Sequence, residues 1–324
     1  MTTKDQRLKK TMDLLEIAKN NSKKNAPFYF KFLSMLSVVR GYNILAIVVA
    51  QYLAAIFIFS PQKSLRFVLT DIYLYFIILA SACTIAGGYI INNFYDKEKD
   101  LINKPHKAAL DNFISQKTKL QIYFLLNFIG FLFGCLVSWR AALFFAVYIF
   151  LLWFYSHKLK KQPLTGLFSA AILALLPFFA VFVYYKNFSE VIFVHATFLF
   201  FILLIRELIK DLENIKGDIA NNYLTIPIKY DERFTKMIIT IFLVLTASPI
   251  YFILKYPEIG NMKYYFYFAG IVLVIFGILL YKANSKKDYI ILHNIIKLLI
   301  VIGILSLMLV DTSVILERVL EHLK

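Results

Sequence analysis

Apolar segments recur along the chain, and short polar connections separate them. A transmembrane helix needs about 20 predominantly apolar residues to cross the hydrocarbon core of a bilayer. No segment shows the two-residue alternation, over about ten residues, that is typical of a membrane β-strand. The pattern therefore predicts nine transmembrane helices, which run approximately over residues 42–59, 72–92, 120–138, 141–155, 164–184, 191–209, 237–254, 264–281 and 290–310.

Composition agrees with this pattern. The chain has 324 residues, of which 60% are hydrophobic and only 17% are charged, and its mean hydropathy is +0.68. These values lie outside the range of soluble globular domains. We expect an all-α integral membrane protein with a polar N-terminal segment over residues 1–39, a nine-helix domain over residues 40–312 and a short tail over residues 313–324.

The basic residues, which give a net charge of +16, are unevenly distributed. Lys and Arg are dense in the N-terminal segment and after every even-numbered span, as at Lys97, Lys99 and Lys104, whereas the other connections hold few, such as Arg140 and Lys186. By the positive-inside rule, the N-terminus and the even-numbered connections face the cytoplasm, as in a multi-pass protein of the cell (inner) membrane. The charge also suits contact with anionic membrane lipids, and no motif indicates nucleic-acid binding.

Three oxygen-bearing side chains, Asn92, Asp96 and Asp100, recur every four residues where the second predicted span meets water. On a helix this spacing places them along one face without help from tertiary structure. Mg²⁺ prefers oxygen ligands and usually binds through one or two carboxylates together with phosphate oxygens of a substrate. Because the cluster lies at a membrane surface, it indicates a lipid-like diphosphate as substrate.

A second acidic run, over residues 206–218, follows the sixth predicted span. Asp211, Asn214 and Asp218 give it a similar oxygen-rich helical spacing. A single run of mixed charge after a transmembrane helix is usually a solvated loop. Two clusters on the same predicted side of the membrane, however, can bracket a diphosphate through bridging Mg²⁺ ions.

These runs resemble a known family. Asn92, Asp96 and Asp100 match the Asn-x-x-x-Asp-x-x-x-Asp motif of the UbiA superfamily of intramembrane prenyltransferases, and the second run resembles that superfamily's second aspartate-rich motif. The second run is most similar to the branch that includes digeranylgeranylglyceryl phosphate synthase. Residues 40–43, 155–160 and 224–227 agree further, so the resemblance extends over residues 40–310.

The chain departs from the family pattern at two places. Asn214 stands where such sequences usually have a carboxylate, which leaves Asp211, Glu213 and Asp218 as the charged candidates of the second motif. Residues 107–112 replace the usual Arg-Pro-x-Pro-x-Gly stretch. The first departure leaves the number of bound Mg²⁺ ions open, and the second leaves open which loop residues contact the diphosphate.

The resemblance implies a helical bundle with a central cavity open to the cytoplasmic side and the membrane. It also implies Mg²⁺-dependent transfer of a polyprenyl group from an allylic diphosphate to a lipid or aromatic acceptor. Negative charge develops on the leaving diphosphate and must be neutralised. Tyr155 is expected near the reacting carbon, where its ring could stabilise a cation, although its position is also typical of the interfacial aromatic belt.

The site residues expected from this resemblance fall into three groups. The catalytic residues are Asp96, Asp100, Asp218 and Tyr155. The metal ligands are Asn92, Asp96, Asp100, Asp211, Asn214 and Asp218. The diphosphate ligands are Arg40, Asn43, Lys107, Lys158, Arg206 and Lys210. Each basic side chain could instead extend towards lipid headgroups.

Two other functions stay open on the sequence. Carboxylates inside a helical bundle often mark a transport pathway, so a membrane transporter is one alternative, although both clusters lie at one surface rather than at the midplane. A lipid-binding homologue with impaired catalysis is the other, because of Asn214. No residue identifies the acceptor, and a prenylglyceryl phosphate, which the second motif favours, competes with a quinone or phenol precursor. No obligate protein partner is inferred.

Overall fold

The computed structural model describes residues 27–311, so most of the predicted N-terminal segment and the whole predicted C-terminal tail lie outside the described residues. The regular secondary structure of residues 27–311 is entirely helical. In chain order, the α-helices are α1 (Phe28–Val38), α2 (Gly41–Ala54), α3 (Leu65–Leu69), α4 (Ile72–Tyr95), α5 (Lys97–Asn103), α6 (Pro105–Asp111), α7 (Gln116–Val137), α8 (Trp139–His157), α9 (Pro163–Tyr185), α10 (Glu190–Ala220), α11 (Ile226–Lys229), α12 (Glu232–Ile253), α13 (Lys263–Lys282) and α14 (Lys286–Ser306).

Nine helices in the described part of the chain are long and apolar enough to cross a membrane, which confirms the predicted bundle. They are α2, with the π-helical turn that extends it to Phe59, and α4, α7, α8, α9, α10, α12, α13 and α14. The sixth of these, α10, continues to Ala220, about three turns beyond the predicted span. It continues because Leu212, Gly217 and Asp218 stay buried against neighbouring helices.

The helices form two groups. One consists of α4, α7 and α8, and the other consists of α10, α12, α13 and α14. Helix α9 packs on both α8 and α10, and α2 packs on both α4 and α14, so the two groups close into one bundle. The acidic motifs lie at the end of the bundle where α4 and α10 finish, which we call the motif end. The short helix α5 packs on α10 there, and α1 packs on α6.

Helix α9 contains Pro177, which lacks the N–H that would bond to the carbonyl of Leu173. The buried Tyr148 hydroxyl donates to that carbonyl oxygen at 3.0 Å. Gln51 Nε2 of α2 donates to the carbonyl oxygen of Pro177 at 2.9 Å and to Ser81 Oγ of α4 at 3.2 Å. Backbone groups inside a bilayer must be satisfied by protein, so these bonds hold α2, α4, α8 and α9 together in the apolar part of the bundle.

Candidate active site

The first motif lies where α4 passes into α5. Asp96 separates the two helices, with a backbone φ of −91° and ψ of 10°. Asp96 N donates to Asn92 O at 2.9 Å at the end of α4, and Asp100 N donates to Asp96 O at 2.8 Å at the start of α5. The expected row of three side chains on one continuous helix is therefore interrupted at Asp96. Lys160, from the turn after α8, donates to Asp96 Oδ1 at 2.8 Å and to Asn92 Oδ1 at 3.1 Å. This lysine was not among the expected site residues.

Tyr223 connects the loop after α10 to the first motif. Its hydroxyl donates to Asp96 Oδ1 at 2.9 Å, and its side chain is buried. The ammonium groups of Lys99 and Lys160 lie 4.8 and 5.7 Å from the centre of its ring. A ring face attracts cations, so Tyr223 can hold both lysines beside the carboxylate. The loop itself is fixed by Leu224 N, which donates to Lys161 O at 2.9 Å.

The second motif lies on the last turns of α10. The Asp218 side chain has no exposed surface and forms an ion pair with Lys99 of α5. The Lys99 ammonium contacts Asp218 Oδ1, whereas Asp218 Oδ2 has no hydrogen-bond partner within residues 27–311. A buried carboxylate with free lone pairs is costly unless a cation fills them. Lys99 therefore bridges the second motif to the Tyr223 ring and so to the first motif.

Asn103, the last residue of α5, fixes α5 to α10. Its side-chain Nδ2 donates to Asn214 O at 3.2 Å, and its Oδ1 accepts from Gly217 N at 3.2 Å. A Cβ atom at Gly217 would overlap the Asn103 amide. Glycine at this position allows the two motif-bearing helices to approach closely.

A small recess lies between α8, α9 and α10 at the motif end. Tyr155, Lys160, Glu207 and Asp211 are among the residues that line it. Glu207 Oε2 accepts from Lys210 Nζ at 2.5 Å, and Glu207 Oε1 lies 3.9 Å from Arg206 Nη2. Tyr155 thus lines this recess together with lysine and carboxylate groups, and its place near the reacting atoms stays a prediction.

Arg40 and Asn43, at the start of α2, both contact Tyr89 of α4. The guanidinium carbon of Arg40 lies 5.1 Å from the centre of the Tyr89 ring, and Asn43 Nδ2 donates to the Tyr89 hydroxyl at 3.3 Å. Arg40 has a left-handed backbone with φ of 51°, which is uncommon for a residue with a side chain. The tight turn between α1 and α2 directs this arginine to the motif end.

Two expected diphosphate ligands form no hydrogen bond with a motif carboxylate within residues 27–311. Lys107 Nζ donates to Asp111 Oδ2 at 2.5 Å, and Lys158 is exposed at the end of α8. Asp111 Oδ2 also accepts from Asn93 at 2.9 Å, and Lys119 donates to Asn93 Oδ1 at 2.8 Å. Asn93 and Asp111 line a recess together with Asp100 of the first motif. The roles of Lys107 and Lys158 stay predictions.

The pKa values of the two carboxyl groups of the first motif shift in opposite directions. Burial acts to raise the pKa of Asp96, but Lys160 and Lys99 outweigh it and hold that pKa below its usual value. Burial and the neighbouring Asp96 charge raise the pKa of Asp100 above its usual value.

Within residues 27–311, no three His, Cys, Asp or Glu side chains converge on one point. A cation at this site would therefore need amide or substrate oxygens as well.

Comparison with known proteins identifies the family. The model of the UbiA prenyltransferase family matches residues 47–295. The chain belongs to the UbiA prenyltransferase family. It is therefore a multi-pass membrane prenyltransferase, and the resemblance seen in its motifs is confirmed.

Two archaeal relatives of this UbiA protein are named digeranylgeranylglyceryl phosphate synthase. The protein of Methanobrevibacter smithii is 29% identical over 265 residues, which cover 78% of this chain and 88% of the relative. The protein of Methanosphaera stadtmanae is 30% identical over 232 residues, which cover 69% and 83%. In each comparison, the similarity therefore extends over most of this chain and most of the relative.

Solved structures show the same fold. A structure of digeranylgeranylglyceryl phosphate synthase has a TM-score of 0.64 at 19% identity, and the match covers 86% of this chain and 97% of that chain. A UbiA homologue from Archaeoglobus fulgidus, bound to DMAPP and Mg²⁺, has a TM-score of 0.62 at 14% identity, with coverage of 85% and 99%. The membrane bundle of this chain is thus a UbiA fold.

Proposed function

We propose that this UbiA prenyltransferase transfers a polyprenyl group to the hydroxyl of a prenylglyceryl phosphate and that the reaction depends on Mg²⁺. The observation that carries the proposal is the joining of the two acidic motifs by Lys99 and Tyr223. Lys99 pairs with Asp218, and Tyr223 bonds to Asp96. A diphosphate placed between the motifs would meet carboxylates for a metal ion and lysines for its own charge.

The donor set suits Mg²⁺. Asn92, Asp96 and Asp100 would supply one group of ligands, and Asp211, Asn214 and Asp218 the other, with remaining positions filled by diphosphate oxygens and water. The buried Asp218 Oδ2, which has no partner within residues 27–311, supports this assignment. When bound there, the ion would neutralise charge on the departing diphosphate.

Cationic side chains would complete the diphosphate site. Lys160 and Lys99 already lie beside the carboxylates. Lys210 and Arg206 both lie close to Glu207, which lines the recess. Arg suits bidentate contact with phosphate, whereas Lys acts as a point charge. When the bond between the allylic carbon and the diphosphate oxygen breaks, these groups would hold the leaving group. The acceptor oxygen would bond to the carbon, and the released diphosphate would take up the hydroxyl proton.

The acceptor assignment rests on the relatives. Digeranylgeranylglyceryl phosphate synthase recurs as the name of the relatives, and that name describes a glyceryl phosphate that carries two geranylgeranyl groups. The orientation that we propose places the motif end in the cytoplasm, because the lysine-rich connections lie there.

The test uses the purified full-length protein in lipid nanodiscs, with geranylgeranyl diphosphate as donor. Geranylgeranylglyceryl phosphate and 4-hydroxybenzoate are offered separately as acceptors. We expect ether product and diphosphate release with the glyceryl phosphate acceptor, and a loss of both when EDTA removes divalent metal. Product only with the aromatic acceptor would contradict the acceptor assignment, and turnover in EDTA would contradict the metal assignment.

A further inference from the structure

Lys119 is a buried lysine that the proposed reaction does not use. It lies in the first turn of α7, and only 1% of its surface is exposed. Its ammonium group donates to Asn93 Oδ1 of α4 at 2.8 Å, and within residues 27–311 it forms no direct ion pair with a carboxylate. Lysine is almost never fully buried unless it is paired. The charge of Lys119 must therefore be balanced through Asn93.

Asn93 connects Lys119 to Asp111 at the end of α6. Its Nδ2 donates to Asp111 Oδ2 at 2.9 Å, while its Oδ1 accepts from Lys119. Rotating the amide by half a turn would bring its nitrogen against the ammonium group and its oxygen against the carboxylate, so both bonds would be lost. Hydrogen bonds to charged groups are also roughly twice as strong as those between neutral groups. The Asn93 side chain is therefore held in one orientation.

Asp111 brings a fourth helix, α1, to this contact. Its Oδ1 accepts from Ser37 Oγ of α1 at 2.7 Å, and its Oδ2 also accepts from Lys107 Nζ, one turn earlier on α6, at 2.5 Å. The Asp111 side chain is buried, so these bonds form away from water. Helices α1, α4, α6 and α7 thus meet in one set of polar side chains, which we call the Asp111 network and which consists of Ser37, Asn93, Lys107, Asp111 and Lys119.

The Asp111 network holds the part of α4 that carries the first motif. Asn93 directly follows Asn92 and is three residues before Asp96, where α4 ends and α5 begins. Because the row of motif side chains is interrupted at Asp96, the helical spacing alone does not set their relative positions. Asp100 lines the same recess as Asn93 and Lys119, so the network also lies beside the part of the motif on α5. Tertiary contacts of the network can therefore supply the alignment that the interrupted helix lacks.

We propose that Lys119 is a positioning residue of the metal site. Through Asn93 it orients the last turn of α4, so that Asn92 and Asp96 present their oxygens to one divalent cation. The inference rests on the proposed function and deepens it, because it assigns the support of the metal ligands to a residue that would not touch the ion. Groups that orient metal ligands typically change metal affinity by about 10- to 100-fold when they are removed.

The experiment measures the Kd of Mn²⁺, a paramagnetic substitute for Mg²⁺, from the electron paramagnetic resonance signal of the free ion. The full-length protein is held in nanodiscs of zwitterionic lipid, with no donor or acceptor present. Lys119→Met removes the donor to Asn93 and should raise the Kd about tenfold. Asp111 keeps its bonds from Ser37 and Lys107, so no carboxylate is left unpaired and the fold should persist. Lys119→Gln, which keeps an N–H donor, should recover most of the affinity.

The matched control is Lys236→Met, because Lys236 is also a buried lysine near the start of a membrane-spanning helix, α12. It donates to Ala283 O at 2.6 Å and pairs with Glu232 at 2.9 Å, and these partners lie outside both motifs. This variant should lower the midpoint of thermal unfolding and leave the Kd of Mn²⁺ unchanged. Asp96→Asn, which removes a proposed ligand, should raise the Kd further than Lys119→Met does.

Asp111→Asn tests the other end of the Asn93 amide and keeps the test decisive if Lys119→Met folds poorly. It keeps the shape of the side chain but removes the charge that orients Asn93, so it should also raise the Kd of Mn²⁺. The double variant of Lys119→Met and Asp111→Asn should bind Mn²⁺ no more weakly than the more affected single variant, because both changes act through Asn93.

Three results would contradict the proposal. An unchanged Kd in Lys119→Met and Asp111→Asn, with a raised Kd in Asp96→Asn, overturns the positioning role and leaves the metal site in place. An equal rise in Lys119→Met and Lys236→Met shows a general loss of structure and overturns the positioning role as well. If Asp96→Asn leaves the Kd unchanged, the metal assignment of the proposed function fails, and the positioning role fails with it.

Discussion

The side-chain amide of Asn103 packs against Gly217 and bonds to the backbone of α10 through both its nitrogen and its oxygen. Its Nδ2 donates to Asn214 O and its Oδ1 accepts from Gly217 N, both at 3.2 Å. Asn103 ends the helix that continues the first motif, and Gly217 precedes the Asp218 carboxylate of the second. This contact therefore sets the distance between the two motifs.

The first prediction concerns Gly217→Ala. Alanine favours a helix over glycine by about 1 kcal/mol, so local propensity alone would stabilise this variant. We expect the opposite, because the added Cβ would overlap the Asn103 amide and separate α5 from α10. Turnover should fall at least about tenfold, since small displacements of positioned groups are costly in catalysis, and the midpoint of thermal unfolding should fall as well.

The matched control is Gly270→Ala on α13, where a Cβ would meet nothing within 4 Å. The midpoint of thermal unfolding of this variant should equal or exceed that of the wild type in the same detergent. Asn103→Ala combined with Gly217→Ala should recover thermal stability relative to Gly217→Ala alone, because the overlap is removed. A fully active Gly217→Ala enzyme would show that the contact between Asn103 and Gly217 does not set the site geometry.

The second prediction is that Asp96→Asn abolishes turnover and leaves the fold intact. Loss of one metal-binding carboxylate should cost several kcal/mol of transition-state stabilisation, about a thousandfold in rate. The amide can still accept from Lys160 and Tyr223, so their packing is retained. The control is Glu98→Gln, an exposed acid on α5. Equal rates for Asp96→Asn and the wild type at saturating Mg²⁺ would remove Asp96 from the site.

The third prediction places the motif end in the cytoplasm. Single cysteines at Lys104 and Lys216, beside the motifs, should react with an impermeant maleimide only after the cytoplasmic side is opened, whereas one at Ser189 should react from outside. Cys83 and Cys135 must first be replaced, since Cys135 is exposed. Labelling of Ser189 from the same side as Lys104 would contradict a nine-span arrangement.

The bundle and the first motif were predictable from sequence because their signals are local. Twenty apolar residues specify a membrane helix, and the four-residue spacing of Asn92, Asp96 and Asp100 is visible in the sequence. That spacing does not reveal the break at Asp96 between α4 and α5. Local sequence signals could not show that Lys160, rather than Lys158, contacts the first motif. Both stand in one basic segment, and the 3₁₀ turn Leu159–Lys161 after α8 buries Lys160 against Asp96 and leaves Lys158 exposed.

Tyr223 was missed for a different reason. It lies in a loop without periodicity, and its partner Asp96 is 127 residues away in the chain. Only the packing of that loop on the turn after α8 brings the hydroxyl to the carboxylate. The contact between Asn103 and Gly217 likewise joins two segments that lie far apart in the sequence. A single sequence contains no local pattern that shows such segments in contact.

The last prediction concerns Asn214, where this chain departs from the family pattern. An amide oxygen can ligate Mg²⁺ but carries no charge, so the second motif should bind its ion more weakly than a two-carboxylate version would. Asn214→Asp should therefore lower the Mg²⁺ concentration needed for half-maximal turnover, and Asp218→Ala should raise it or eliminate activity. Asn214 Nδ2 donates to Lys210 O at 2.6 Å, and a carboxylate cannot make this bond, so Asn214→Asp should also lower thermal stability slightly.

The control for this prediction is Asn221→Asp, because Asn221 Nδ2 also donates to a carbonyl four residues earlier on α10, that of Gly217. It should repeat the stability loss without changing the Mg²⁺ requirement. If Asn214→Asp leaves the Mg²⁺ requirement unchanged, Asn214 is not a ligand and the role passes to the other acids of the motif. Glu213 is already bonded to His293 and lies 4.0 Å from Lys104, so Asp211 would then be the partner of Asp218.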